Sequence, residues 1–437
     1  MGSYVPGTDR EQLEMLQTIG LSSLDDLYVD VPEELKLKNG LNLPAGKSEI
    51  EVRRSISELA GANKVYGTIF RGAGAYRHYI PSIVKSVVTK ENLVTAYTPY
   101  QAEISQGILQ SIFEYQTMIC ELTGMDVSNA SVYDGGTAAA EAVAMCVDRK
   151  RKKAIVSAAI QPETLEVIRT YAFGSGTEII VVPEKDGVTD EAALEELLDK
   201  EAACVLIQSP NYYGNIENAE ALADKAHSAG AKFVMSVNPV SLGVLKTPAE
   251  CGADVAVGDA QPLGLPVSSG GPYVGFMAAR KDMMRKLPGR IVGQTVDANG
   301  KTAYVLTLQA REQHIRREKA SSNICSNQAL CALTVGVYLT SMGAQGLHDV
   351  AVQSASKAHY LAAKLEDAGL ALVNKGVYFN EFVTESDKNS AKVLEALDAE
   401  GILGGLPLDE RRILWCCTEL NTREEMDKVA EIVKEVK

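Results

Sequence analysis

The apolar positions of the chain follow three successive patterns. Over the first 62 residues, Thr8 with Glu11 and Ser48 with Glu51 have capping-box spacing ahead of helical periodicity that ends near Gly20 and Gly61. This predicts a helical arm over 1–62. From Ile104, apolar residues at 104, 108, 112, 115, 119 and 122 hold one face of a helix that Gly124 stops, the mark of a core or interface helix. Short β-branched runs then recur at 154–159, 178–183, 203–208, 232–237 and 254–257, with helical patterns such as 190–200 and 219–229 between several of them.

That alternation predicts a parallel sheet with helices on both faces. The run at 273–278 follows a glycine-rich turn too short for a crossover helix, so it reads as an antiparallel strand of the same sheet. After residue 345 the order becomes helix (347–368), strand (377–383), helix (390–399), strands (402–406 and 412–417), helix (423–435), a small α+β domain. The partition is an N-terminal helical arm (1–62), a large α/β domain with a mostly parallel sheet (63–345) and a small C-terminal α+β domain (346–437). No tandem repeat or low-complexity linker is visible.

With 437 residues, 46% apolar and 23% charged, the composition is that of a globular chain. Lys plus Arg number 43 against 57 Asp plus Glu, and the net charge of −14 repels a phosphate backbone, so nucleic acid is excluded as a partner class. Eight cysteines contain no C-x-x-C and sit mostly in apolar segments, as reduced thiols in a cytosol do. The first fifteen residues lack a basic stretch followed by an apolar one, and no uninterrupted apolar run approaches 18 residues, which reads as a soluble cytoplasmic protein.

Candidate chemistry is sparse. The five histidines fit no metal-ligand spacing, and no metal is expected. Phe70-Arg71-Gly72-Ala73-Gly74-Ala75-Tyr76 contains G-x-G without the third glycine of a dinucleotide fingerprint, and reads better as a tight turn. Asp134-Gly135-Gly136-Thr137 feeds a helix whose free N–H groups could hold a phosphate, but Asp134 would repel one and favours plain capping. Arg311, Arg316, Arg317 and Lys319 share one helical pattern with Glu312 and Glu318, either a solvated salt-bridged face or an anchor for acidic groups. In Tyr97-Thr98-Pro99-Tyr100-Gln101-Ala102-Glu103, Pro99 holds Thr98 extended, predicting a rigid loop that presents two phenols, an amide and a carboxylate.

A doubly wound sheet, a small C-terminal domain and the glycine-rich turn within 258–272 are together the layout of aminotransferase-like pyridoxal phosphate enzymes of fold type I. Such an enzyme needs a lysine to hold the cofactor and an acid to keep the pyridine nitrogen protonated. No Lys occurs from Thr247 to Ala279, and no Asp or Glu from 226 to 249, where the strand end at Asn238 should present the acid.

Long stretches of the chain resemble one family, the glycine decarboxylase P-protein of the glycine cleavage system in its split bacterial form, subunit 1. They are Gly72-Ala-Gly-Ala-Tyr-Arg-His-Tyr-Ile-Pro81, 97–107, 115–126, Asn238-Pro-Val-Ser-Leu-Gly243, 258–266 and 308–319 through Ser322-Asn323-Ile324-Cys325. The family's pyridoxal lysine lies in subunit 2 shortly before a proline, and counting back from Pro266 puts Gln261 about where it would stand. Asn238 falls near the place of the family's aspartate.

The resemblance implies a heteromer of two alpha and two beta chains. Subunit 2 binds pyridoxal phosphate, glycine is decarboxylated, and the aminomethyl group passes to the lipoyl arm of the H-protein. This chain, lacking the lysine, would hold no cofactor covalently, would be inactive alone, and would act either at a shared interfacial site or as a structural or regulatory partner. Tyr97, Thr98, Tyr100, Gln101 and Glu103 are the candidates for the shared site. The arm and the helix from Ile104 are candidates for contact with subunit 2.

Overall fold

The structure is a computed structural model that describes residues 7–96, 99–309, 313–320 and 322–436. The chain divides into two compact units, Met1–Val65 and Tyr66–Lys437. The first carries helices Asp9–Thr18 and Glu49–Gly61, both opened by the expected capping boxes. At the first, the Glu11 N–H donates to the Thr8 hydroxyl (3.3 Å) while the Glu11 carboxylate accepts from the Thr8 N–H (2.7 Å). Among residues 7–65 only Leu16 is buried, so local caps rather than a core hold these helices.

The second unit is built on a seven-stranded sheet. Its strands in chain order are β1 (Val127–Ser128), β2 (Lys153–Ser157), β3 (Glu178–Val182), β4 (Ala202–Gln208), β5 (Lys232–Ser236), β6 (Val255–Asp259) and β7 (Gly275–Ala279). Across the sheet they lie in the order β1, β7, β6, β5, β4, β2, β3. Strands β2 to β6 are parallel, and β7 runs antiparallel to both β6 and β1, as its short connection requires.

Successive residues of each parallel strand enter different cores, because side chains alternate across a strand. Ile155, Val205, Ile207, Phe233 and Met235 face one core with Tyr115 and Ile119 of helix Gln106–Thr123. Ala154, Val156, Cys204, Leu206 and Val234 face the other, with Ala138 and Ala142 of helix Gly135–Cys146. Burial on both faces is why these strands read as unbroken apolar runs.

The helix expected from Ile104 begins at Gln106 and ends where Gly124 turns left-handed (φ 70°). Leu109, Ile112, Tyr115 and Ile119 are buried within this chain, so its stripe belongs to the chain's own core; Ile104, ahead of the helix, is 79% exposed. The helix expected from 347 starts earlier, at Ala329, and runs to Asp367 with an interruption at Gly343 (φ 63°). It has the length and mean hydropathy (1.3) of a membrane span, yet Val335, Tyr338, Leu347, Ala351 and Leu361 are buried in the cores of this unit.

The C-terminal part carries a four-stranded antiparallel sheet in the order Ala371–Leu372, Glu381–Glu385, Arg412–Cys416, Leu406–Pro407. The strand expected at 377–383 is displaced to Glu381–Glu385, since 377–380 bridges to the large domain: Phe379 N–H donates to Gly214 O at 3.1 Å. All eight cysteines are free thiols. Gly214 has φ +85°, and a Cβ there would stand 1.9 Å from the Glu381 carbonyl oxygen. We expect Gly214→Ala to destabilise the protein by more than about 2 kcal/mol, from left-handed strain plus a clash with main chain. Urea unfolding at neutral pH measures this, and a loss under about 0.5 kcal/mol would show the junction to be pliable.

Candidate active site

A cavity of about 380 Å³ opens at the carboxyl ends of the parallel strands, where doubly wound sheets bind ligands. Gln208 ends β4, Ser236 ends β5 with Asn238 just beyond, and Asp259 ends β6. The starts of helices Gly135–Cys146 and Pro162–Ser175, the Ala73–Tyr76 turn, and Gly270 and Tyr273 close the rim.

The helix start at Gly135 is occupied by the chain's own carboxylates. Asp134 Oδ1 accepts from the Thr137 N–H at 2.7 Å, the expected cap. Asp259 Oδ2 accepts from the Gly135 N–H at 3.0 Å, and its Oδ1 from the Gln261 N–H at 2.8 Å. The glycine is a matter of close approach: a Cβ on Gly135 would lie 2.9 Å from the Asp259 main chain. Burial, with the charge of Asp134 adding to it, pushes the Asp259 carboxyl up to about 6.

Gln261 is fully buried, and its amide works at both ends. Oε1 accepts from the Tyr76 N–H (2.8 Å), while Nε2 donates to Tyr76 O (2.9 Å) and Leu265 O (2.8 Å). Asn238 Oδ1 accepts from the Val240 N–H at 3.0 Å, opening a short turn of helix, while its buried Nδ2 has no partner among the described residues.

Beneath the Gly72–Gly74 turn lies a carboxyl that periodicity alone does not reveal. Glu381 is buried; Oε1 accepts from the Ala73 N–H at 2.6 Å and Oε2 from the Tyr76 hydroxyl at 2.7 Å. Desolvation raises its carboxyl to about 7, opposed by these two bonds, and raises the Tyr76 phenol as well. Gly72 has to be glycine, since a Cβ would meet Glu381 Oε1 at 2.5 Å and Cys416 Sγ at 2.8 Å. A glutamate directly ahead of Phe382 and Val383 was the available signal; its partners lie some 300 residues away.

Of the interface candidates, Tyr100, Gln101 and Glu103 do not line this cavity. Tyr100 packs under the Arg290 guanidinium, 4.2 Å from the ring centre, and its hydroxyl donates to Asn327 Oδ1 at 2.7 Å. Gln101 and Glu103 are exposed, and Tyr97 and Thr98 lie outside the described residues. Of the basic segment, Arg311 and Glu312 also lie outside them. Arg316, Arg317 and Lys319 are exposed, and the expected single helix is broken by a left-handed Arg317 (φ 53°) into Gln313–Arg316 and Arg317–Lys319.

Pyridoxal phosphate does not fit this cavity. Asp134, Glu163 and Asp259 line it and, among the described residues, no Lys, Arg or His does, so none of these offsets a phosphate charge. The amide of Gln261 is committed to Tyr76 and cannot form a covalent imine, and Asn238 cannot stand as a counter-charge to a pyridinium.

The fold itself has known relatives. An aspartate aminotransferase from Thermus thermophilus superposes with a TM-score of 0.60 over 85% of this chain and 100% of that one, at 17% identity. The architecture is thus that of the fold type I pyridoxal phosphate enzymes. A glycine decarboxylase (P-protein) of the glycine cleavage system, solved in inhibitor-bound form, matches at TM-score 0.92 and 41% identity over 100% of both chains. Probable glycine dehydrogenase (decarboxylating) subunit 1 of Carboxydothermus hydrogenoformans is 49% identical over 98% of this chain and 99% of its own length. Its Brevibacillus brevis counterpart is 49% identical over 98% and 97%. The family model for the glycine cleavage system P-protein matches residues 2–433, and the chain belongs to that family.

The buried carboxyl gives a pH test. Glu381 is protonated in the folded chain at pH values where an unfolded glutamate, near 4.5, has ionised. Its contribution to stability is therefore greatest below about 4.5 and falls as pH rises to about 7. Glu381→Gln keeps an acceptor for Ala73 and removes the titration. Relative to wild type, we expect the variant to gain on the order of 2–3 kcal/mol in unfolding free energy between pH 4.5 and pH 8. Parallel urea curves for the two proteins at both pH values would contradict the assignment.

Proposed function

We propose that the chain is the alpha half of a two-subunit glycine decarboxylase. In it, subunit 2 carries pyridoxal phosphate, and the assembly, two alpha with two beta chains in the cytoplasm, passes the aminomethyl group of glycine to the lipoyl arm of the H-protein. The observation that carries this reading is the buried Gln261, bound to Tyr76 at the position expected for the cofactor lysine, beside a cavity that carboxylates line without a cation among the described residues. Similarity to subunit 1 proteins over nearly the full length supports the division of labour. The cofactor, bound on the partner, supplies the electron sink that decarboxylation requires. This chain's part is to shape and dry a site at the subunit junction, with Tyr97, Thr98, Tyr100, Gln101 and Glu103 as its candidate residues there.

Exchange of the glycine carboxyl with labelled bicarbonate tests the proposal. We expect exchange from the two subunits together and none from this chain alone; exchange by the isolated chain would overturn it. Pyridoxal phosphate added to the isolated chain should leave no borohydride-fixed label on residues 247–280, which contain no lysine. Tyr97→Phe and Tyr100→Phe remove only the hydroxyls. A tenfold loss of H-protein-dependent rate, about 1.4 kcal/mol, with complex formation intact is expected of a residue at the shared site; wild-type rates in both would remove the phenols from it.

A further inference from the structure

A second cavity, about 620 Å³ and open to the surface, lies on the far side of the segment that walls the strand-edge cavity. Ala75 and Tyr76 line the first cavity, while Ala75 and residues 77–80 line the second, together with Leu265, Pro266, Val267, Ile69, Leu403 and Leu420. Much of the lining is apolar and part of it is uncovered: Tyr79 is 59% exposed and Val267 37%. An apolar surface of this kind costs free energy in water and marks a contact site when it is continuous.

Two features say what kind of surface would cover it. The first is charge. Arg71 lines the groove, donating from Nε to Gly404 O (3.3 Å) and from Nη2 to Gly405 O (2.8 Å), and Arg77 donates to Gly67 O (2.8 Å). Neither guanidinium has a carboxylate within ion-pair distance among the described residues, although this chain carries 57 acidic residues. A half-buried guanidinium held only by carbonyl oxygens is left to pair with an acidic group from outside.

The second is the loop that continues the groove wall. Ser268, Ser269, Gly270 and Gly271 take left-handed or related backbone angles in succession (φ 44°, 54°, 108° and 136°), at the surface. The Tyr273 hydroxyl holds it, donating to Val267 O at 2.7 Å. For the serines this conformation costs about 1 kcal/mol or more each, and such strain persists where a surface has a use for the shape. Gly270 and Tyr273 line the strand-edge cavity and Val267 the groove, so one loop borders both.

We propose that this groove seats an apolar segment of subunit 2 bearing an acidic residue that pairs with Arg71 or Arg77. The proposal rests on the two-subunit reading. It places the subunit contact directly behind the Ala73–Tyr76 turn, so docking would stiffen the wall of the strand-edge cavity.

The test is association of the full chain with subunit 2, followed by sedimentation and by titration of one labelled chain with the other. Val267→Asp and Tyr79→Asp put a charge on the groove wall, and Arg77→Glu reverses its rim. Because all three positions are partly or fully exposed, circular dichroism and thermal unfolding are expected to match wild type. We expect each variant to bind subunit 2 at least tenfold more weakly, Arg77→Glu with a smaller dependence on salt than wild type. Variants that bind as wild type does overturn the groove assignment while leaving the two-subunit reading intact. Self-association of this chain alone that the same substitutions abolish would assign the groove to a second copy and overturn it also. A wild-type chain that does not bind subunit 2 at all overturns the two-subunit reading, and the groove assignment with it.

Discussion

Tyr76 is held from two directions, and the geometry around the cavity follows from that. Its main chain is bonded on both N–H and C=O to the Gln261 amide, which is anchored just past the last parallel strand. Its hydroxyl is bonded to Glu381 on the C-terminal sheet, whose other oxygen takes the Ala73 N–H. The segment before it is tied to the same sheet, since Cys416 N–H donates to Phe70 O, and to the short strand Ile402–Leu403, since Phe70 N–H donates to Leu403 O. A buried amide and a buried carboxyl with all of these partners are favourable only as a complete set, since loss of one partner leaves a polar group stranded in a dry interior. The large sheet and the small one are therefore tied to each other through this turn as well as through the main-chain bridge from Phe379 to Gly214.

This arrangement makes the cavity electrostatically unlike a cofactor pocket of the same fold. The helix N-terminus at Gly135, which would favour an anion, is satisfied by Asp134 and Asp259 instead. Desolvation raises the Asp259 carboxyl, and the nearby charge of Asp134 adds to it. The helix start that could serve as a phosphate cradle is here an internal brace.

The unit 7–65 is organised on a different principle. Its helices are started by carboxylates: Glu11 and Glu51 reach back to Thr8 and Ser48, and Asp26 accepts from Ser22 and Ser23, which holds its carboxyl down to about 2. Val52, Ile56 and Leu59 fall on one face of helix Glu49–Gly61, and all three are exposed. Capping sets where such helices begin, but each cap contributes only about 1 kcal/mol. Burial of that apolar face is left to something other than the unit's own residues.

What the sequence determined by itself was local and periodic. Cap spacing located the arm helices, β-branched runs between helical patterns located the parallel strands, and the short turn before 275 set the antiparallel direction of β7. These features depend on neighbours a few residues away, so the chain carries them in plain order. Lysine's absence from 247–279 was legible for the same reason. Only the tertiary structure decided that the stripe of helix Gln106–Thr123 faces inward, that helix Ala329–Asp367 starts eighteen residues before the expected 347, and that Gln261 and Glu381 converge on Tyr76. Those outcomes rest on contacts between residues separated by 185 and 305 positions, where the energy comes from burial and completed hydrogen bonds that no local pattern encodes.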